Sequence, residues 1–232
     1  MSKIPQTFHT SKVLNVIGAG LAGTEAAWQA SNLGIEVNLY EMRPKKSTAA
    51  HQTSNLAELV CSNSFRSNSI KNAVGLLKEE MRKLDSLIIN CAEESKIPAG
   101  TALAVDREKF SKKVTKEIEN NPKINLIREE IKSLEPFKDK ITIIATGPLT
   151  SDSLSEEIKK LTNEKYLYFY DAISPIVHGD SIDMSTAFFG SRYGKNSSNE
   201  EGDYINIGLS KVEYTNFIEE LTKGEKIPLR DF

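Results

Sequence analysis

The sequence predicts an α/β fold, and three observations carry the prediction. Residues 13–17, "VLNVI", form a short apolar run that ends in the glycine-rich "GAGLAG". A helical stretch, "TEAAWQASNLG", and a second apolar run, "IEVNLYE", follow, so that strand, helix and strand fit within roughly thirty residues. Further on, "ITIIATG" closes another apolar run on the small residues Ala145, Thr146 and Gly147. Strand–glycine turn–helix–strand is the context that makes a glycine pattern a dinucleotide fingerprint, so residues 1–150 are expected to form a Rossmann-like domain.

The elements follow in order. The first strand covers 13–17, and its helix is closed by Gly34 before the second strand over 35–41. Residues 44–71 are rich in Ser, Thr, Asn and His with little periodicity, which reads as an ordered excursion loop. Val74, Leu77, Met81, Leu84, Ile88 and Cys91 recur at helical steps and predict one amphipathic helix over 72–94. "TALAVD" is a strand whose Asp106 is placed to cap a helix over about 107–120. "KINLIREEI" and "ITIIATG" are apolar enough for strands of a buried sheet. Composition then shifts: "YLYFYDAISPIV" opens an aromatic-rich section and "YGKNSSNEEGD" reads as an exposed loop, so a second domain is expected over 151–232. The aromatic cluster at 166–170 alternates as a strand does, and core is the better reading for it than a base-stacking platform.

The chain has 232 residues, 39% of them hydrophobic, which suffices to bury a core. A formal net charge of -2 gives no global attraction to a polyanion, so any nucleic-acid contact must be local. No run is apolar for the ~18 residues that a membrane helix needs, and the first residues lack the apolar stretch of a secretion signal. The protein is expected to be cytoplasmic, and both cysteines, Cys61 and Cys91, to be thiols. No Cys or His pair has metal-ligand spacing, and no metal is expected.

Within the turn, Gly18, Gly20 and Gly23 have separate tasks: the tight turn, the backbone approach to a pyrophosphate, and close packing of helix on strand. Ala19, Leu21 and Ala22 complete the loop, and the following helix directs free N–H groups at the phosphates. Glu41, eighteen residues beyond Gly23, ends the second strand where a carboxylate accepts ribose hydroxyls, with Met42 and Arg43 beside it. The turn Ala145-Thr146-Gly147 is of the kind that flavoproteins of the glutathione-reductase type set against their cofactor, which favours FAD over NAD.

Cys61 stands in the polar "ELVCSNSF", where it reads either as a reactive thiol or as a small buried side chain, and Cys91 continues an apolar stripe as core. His51 in "AAHQTS" reads equally as a ligand contact or as a hydrogen-bonded structural group. Arg66, Lys78, Arg82 and Lys83 are cations that either face a carboxylate or phosphate or form a solvated surface.

"VIGAGLAGTEAAWQASNLGIEVNLYEMRP", "LAELVCSNSFRSNSIKNAVGLLKEEMRKLDSLI", "PAGTALAVDREKFS", "ATGPLTSDSL" and "YLYFYDAISPIV…DSIDMSTAFFGSRYGK" together resemble the folate- and FAD-dependent tRNA (uracil-5-)-methyltransferase family over nearly the whole chain. The resemblance implies a Rossmann-like FAD-binding domain of the glutathione-reductase type, incomplete, with the start of an inserted α+β substrate or folate domain from 151. It implies FAD, methylenetetrahydrofolate as one-carbon donor, NAD(P)H to recycle the flavin, and RNA as substrate, tRNA or, in one branch of the family, rRNA. It places Cys61 near the flavin as the catalytic thiol, and His51, Asn63 and Arg66 at the substrate. Two departures stand out. Where the family usually reads "NCPM", this chain has Asn206-Ile207-Gly208-Leu209, and it stops at "LRDF", before the family's second cysteine-bearing segment. About half of a family member is then absent, and a truncated product or a separate chain carrying the rest are the two expectations.

Overall fold

The computed structural model describes residues 13–163, 177–190 and 202–225. They form two compact units, the first of residues 13–97 and 102–163 and the second of 98–101, 177–190 and 202–225.

In the first unit, β1 (Leu14–Ile17) runs into α1 (Leu21–Asn32) and returns as β2 (Val37–Glu41). With β6 (Ile124–Arg128) and β7 (Thr142–Ile144) these strands make a parallel sheet in the order β6-β2-β1-β7. The register sets Val37 beside Leu14 on one side and Ile124 on the other. Parallel strands buried on both faces need continuous apolar side chains, and Val16 and Leu39 are fully buried at the sheet's centre. Gly18 turns the chain at φ 98°, a left-handed conformation that a side chain resists. A Cβ on Gly23 would lie 1.7 Å from the Gly18 carbonyl oxygen, so α1 can start this close to the sheet only with glycine there.

The expected loop 44–71 contains a strand, β3 (Ser64–Ser67), paired antiparallel with β5 (Ala102–Val105), which also pairs with β4 (Lys96–Ile97). Its polar Ser-Phe-Arg-Ser sequence and a register shift between Ser64 and Ser67 hide it from pattern reading. The expected single helix over 72–94 is two, α2 (Ala73–Lys83) and α3 (Leu87–Glu94). Asp85 adopts φ 55° between them, which ends the first helix. The Ser86 hydroxyl then accepts the Ile89 N–H, and the Glu25 carboxylate accepts the Ser86 hydroxyl at 2.8 Å and the Ile88 N–H at 3.0 Å. The break rotates the stripe: Ile88 and Cys91 enter the core, whereas Leu77 and Leu84 are exposed and Lys78 is buried in their stead. Asp106 caps α4 (Arg107–Asn120) as expected, accepting the Glu108 and Lys109 N–H groups at 3.0 Å.

The main core joins Val16, Val37 and Leu39 of the sheet to Ala27 and Ala30 of α1, Ile88 and Cys91 of α3, Leu103 and Val105 of β5, and Phe110, Val114 and Ile118 of α4. Each large aliphatic or aromatic side chain here contributes about 1.5–3 kcal/mol by leaving water. A smaller cluster unites Ile17, Phe137 and Leu154, the last from α5 (Asp152–Thr162). That helix lies beyond residue 150 and packs with the first unit.

The second unit has a hairpin, β8 (Ala187–Gly190) with β9 (Tyr204–Ile207), and α6 (Lys211–Lys223) with a Ser210/Glu213 capping box. The Tyr204 hydroxyl donates to the Ala99 carbonyl at 3.0 Å. Val212, Tyr214, Phe217 and Leu221 of α6 are exposed. The aromatic cluster at 166–170 and most of the loop at 193–203 lie outside the described residues.

Candidate functional site

A cleft of about 310 Å³ opens at the carboxyl ends of β1, β2 and β7, where open parallel sheets place their ligands. Gly18, Ala19, Gly20, Leu21 and Ala22 form one wall, Glu41, Met42 and Arg43 a second, and Ala145, Thr146 and Gly147 a third. Residues more than a hundred positions apart thus converge because β7 pairs directly with β1: the Ala145 N–H donates to the Ile17 carbonyl at 2.7 Å and the Gly18 N–H to the Tyr40 carbonyl at 2.9 Å. Gly23 stands behind the wall and supports it, as its contact with Gly18 requires. Gly20 is the N-cap of α1 at φ -74°, and a Cβ built on it meets no other group within 4 Å. That empty space, in front of the free N–H groups at a positive helix end, is a cradle for an anionic group.

Glu41 is 6% exposed. Burial alone would raise its pKa, but hydrogen bonds and charge from Arg43, with Arg128 behind, hold the carboxyl below the usual range. Arg43 Nε and backbone N reach Glu41 Oε1, each at 3.0 Å, and a terminal nitrogen reaches Oε2 at 3.2 Å. An ionised carboxylate offers about four lone-pair directions, so Glu41 keeps acceptor capacity for a hydroxyl. The other terminal nitrogen of Arg43 binds Glu58 at 2.9 Å, a partner that sequence reading missed. Burial and then the Glu129 charge raise the pKa of Tyr40, which therefore faces the cleft as a neutral phenol.

His51 also lines the cleft. Its Nδ1 is 2.8 Å from the Thr48 hydroxyl, and burial followed by the Arg43 charge lowers its pKa, which favours the neutral ring. The other three predicted site residues do not line this cleft. Cys61 is an exposed thiol next to Val60, which does line it. Asn63 extends the β3–β5 pairing: its carbonyl accepts the Val105 N–H at 2.9 Å and its amide donates to the Val105 carbonyl at 3.1 Å. Arg66 is exposed at φ 64° in the β3 irregularity. Of the weighed cations, Lys78 is 5% exposed and donates to the Ser67 and Val74 carbonyls, so it cannot meet a ligand from solvent. Arg82 is engaged by Glu79, Glu93 and Asn68. Sequence reading also missed Glu129, Glu130 and Ile131 after β6 and Thr150 and Leu154 around the start of α5, all on the cleft wall. Among the described residues, no group of three or more His, Cys, Asp or Glu could hold a metal ion, and no helix is long and apolar enough to cross a membrane.

The family model described as glucose inhibited division protein A matches residues 13–232. The chain belongs to this family. It is 57% identical over 219 residues to the methylenetetrahydrofolate–tRNA-(uracil-5-)-methyltransferase TrmFO of Natranaerobius thermophilus, covering 94% of this chain and 49% of that one. It is 54% identical over 221 residues to the TrmFO of Bacillus subtilis, covering 95% and 49%. The TrmFO of Aquifex aeolicus is 55% identical over 217 residues, covering 94% and 47%. The chain spans about half the length of the curated relatives it matches. A solved structure of Aquifex aeolicus GidA, in the form II crystal, aligns at a TM-score of 0.43 with 17% identity, over 55% of this chain and 21% of that one.

Proposed function

We propose that the cleft binds FAD and that the chain supplies the flavin-binding half of a methylenetetrahydrofolate-dependent methyltransferase acting on uracil C5 in RNA. The observation that carries this reading is the Gly20 cradle, open to a pyrophosphate and joined in one cleft to a ribose-accepting Glu41 and the Ala145-Thr146-Gly147 turn. The names of relatives more than half identical supply the reaction and tRNA as the RNA. When bound, FAD in its reduced form supplies the electrons that turn the folate-borne one-carbon unit into a methyl group, with NAD(P)H as the source that recycles it.

The chain's own groups would bind and orient. Backbone N–H groups at the start of α1 hold the pyrophosphate, Glu41 accepts a ribose hydroxyl, and the neutral His51 presents a ring nitrogen to the cleft. Cys61, exposed beside Val60, is accessible to add to an electrophilic carbon or to take the C5 proton of uracil. Residues of the second unit begin the inserted folate or substrate domain. A cytoplasmic location fits two thiols and a diffusing RNA substrate; rRNA is the alternative substrate.

Two measurements test the reading. FAD binding to the purified chain is followed by flavin fluorescence, and tritium release from C5-labelled uracil in tRNA is measured with methylenetetrahydrofolate, NADPH and FAD. The second assay is run with and without the C-terminal half of the Bacillus subtilis relative. FAD binding, together with turnover only in the reconstituted mixture, is expected. Absence of FAD binding in both preparations would refute the cleft assignment.

A further inference from the structure

We propose that Glu58 is a positioning residue: with Arg43 it clamps the segment 48–58 against the end of β2 and so keeps His51 at the cleft wall.

Between Pro44 and Val60 the chain has neither helix nor strand, so side chains must fix its course. One carboxylate collects four donors. Glu58 Oε1 accepts the Gln52 N–H at 2.8 Å, and Oε2 accepts Arg43 at 2.9 Å, the Thr53 N–H at 3.2 Å and the Thr53 hydroxyl at 3.0 Å. Three of the four come from the two residues that follow His51. The Glu58 side chain is 11% exposed and its bond to Arg43 is partly buried, whereas the bonds from Gln52 and Thr53 lie at the surface; an ionised carboxylate makes all four charge-assisted.

Arg43 transmits the clamp to the sheet. Besides Glu58 and Glu41, it donates to the Thr53 carbonyl at 3.2 Å. Arg128 ties the same two stretches together through the carbonyls of Arg43, at 3.2 Å, and Ser54, at 2.7 Å. On the far side, the Ala57 N–H donates to the Ala19 carbonyl at 2.9 Å, with Ala57 at φ 50°, and the Leu56 N–H donates to the Thr115 hydroxyl at 2.8 Å. The segment is therefore pinned to the glycine turn at one end and, through Glu58, to β2 at the other. A glutamine at position 58 would keep the shape but turn an NH2 toward donors, because only the ionised carboxylate is acceptor on both atoms.

The test reads His51 itself in the apo protein. The ring-proton titration is followed by NMR and assigned by comparison with His51→Gln, the chain having three histidines. Two changes would act in opposite directions in Glu58→Gln. Release of the segment exposes the imidazole and lets its pKa rise toward ~6.5. Loss of the Glu58 charge with the segment still in place lowers it further, because Glu58 raises the His51 pKa while Arg43 lowers it.

A rise is expected, and an unchanged or lower value overturns the proposal. Thr53→Val, which removes one donor from an exposed residue, should shift His51 in the same direction by less, and Thr53→Ser should restore it. This pair decides the matter if Glu58→Gln does not fold, and an unmoved His51 in Thr53→Val then overturns the proposal. A second arm rests on the FAD reading: Glu58→Gln should weaken FAD binding tenfold or more. A wild-type chain that binds no FAD would remove that reading and leave the titration to judge the clamp alone.

Discussion

Replacing Gly20 by Ala should separate the fold from the cleft. In the folded chain the new Cβ meets no other group within 4 Å, and φ -74° is open to any residue. The protein therefore loses only the advantage of glycine over alanine at an N-cap, under about 1 kcal/mol. For a chain of this size that is a Tm shift of about 2–4 °C at most. The same methyl group occupies the space through which a phosphate would approach the first N–H groups of α1. Displacing one hydrogen bond to a charged group costs about 1.5–3 kcal/mol, or roughly a 10- to 150-fold rise in Kd. The paired control is Gly23→Ala, whose Cβ would sit 1.7 Å from the Gly18 carbonyl oxygen and 2.9 Å from its carbon. Neither atom can withdraw without moving β1 or α1, so this variant should fail to fold or melt far below the parent. The assay is a thermal melt beside an FAD titration by flavin fluorescence. A Gly20→Ala chain that binds FAD as tightly as its parent would refute the cradle, and a Gly23→Ala chain with an unchanged melt would refute the packing argument.

Three further outcomes are expected. A thiol reagent should label Cys61 rapidly in the native chain and Cys91 only on unfolding, because burial pushes the Cys91 thiol up to about 12; Cys61→Ala should leave Tm nearly unchanged, whereas Cys91→Ser should lower it by leaving a hydroxyl in the core. Because the folded Glu41 pKa lies below its ordinary 4.5, its stabilisation is fully present above that pH and is lost as the pH falls through the folded value. Glu41→Gln should accordingly melt lower than the parent at neutral pH and lose less on acidification below pH 4.5, as a melt series across that window would show. Lys78→Met keeps the buried stem but leaves the Ser67 carbonyl without its ammonium donor, which should cost about 1–2 kcal/mol and appear in a thermal melt as a loss of a few degrees.

The β-α-β start was legible because its signals are local: two short apolar runs, a glycine turn and a terminal acid lie within thirty residues. The third cleft wall was legible from its small residues after an apolar strand, and the pairing of β7 with β1 brings that wall to the glycine turn. Other features depend on partners distant in sequence. The break in the 72–94 helix rests on Asp85 in a left-handed conformation, which aspartate tolerates without announcing it as glycine would. Lys78 occupies an interior position because its ammonium finds backbone carbonyls, and no hydropathy pattern encodes that. Glu58 was in view within "ELVCSNSF", but its importance comes from Arg43, fifteen residues earlier, and from the Thr53 turn between them.

The chain's single tryptophan has an optical consequence. Trp28 lies on α1, and its indole N–H donates to the Asp85 carbonyl at 3.2 Å, at the joint between α2 and α3. It is seven residues beyond the first residue of α1, about 10 Å along the axis at ~1.5 Å per residue. An FAD whose pyrophosphate is held at the start of α1 would bring a flavin that absorbs where an indole emits within range to receive its excitation. Tryptophan emission should then dim in proportion to occupancy, so a native, unlabelled chain carries its own gauge of ligand binding. The same emission should shift in colour if the α2–α3 joint opens and the indole meets water.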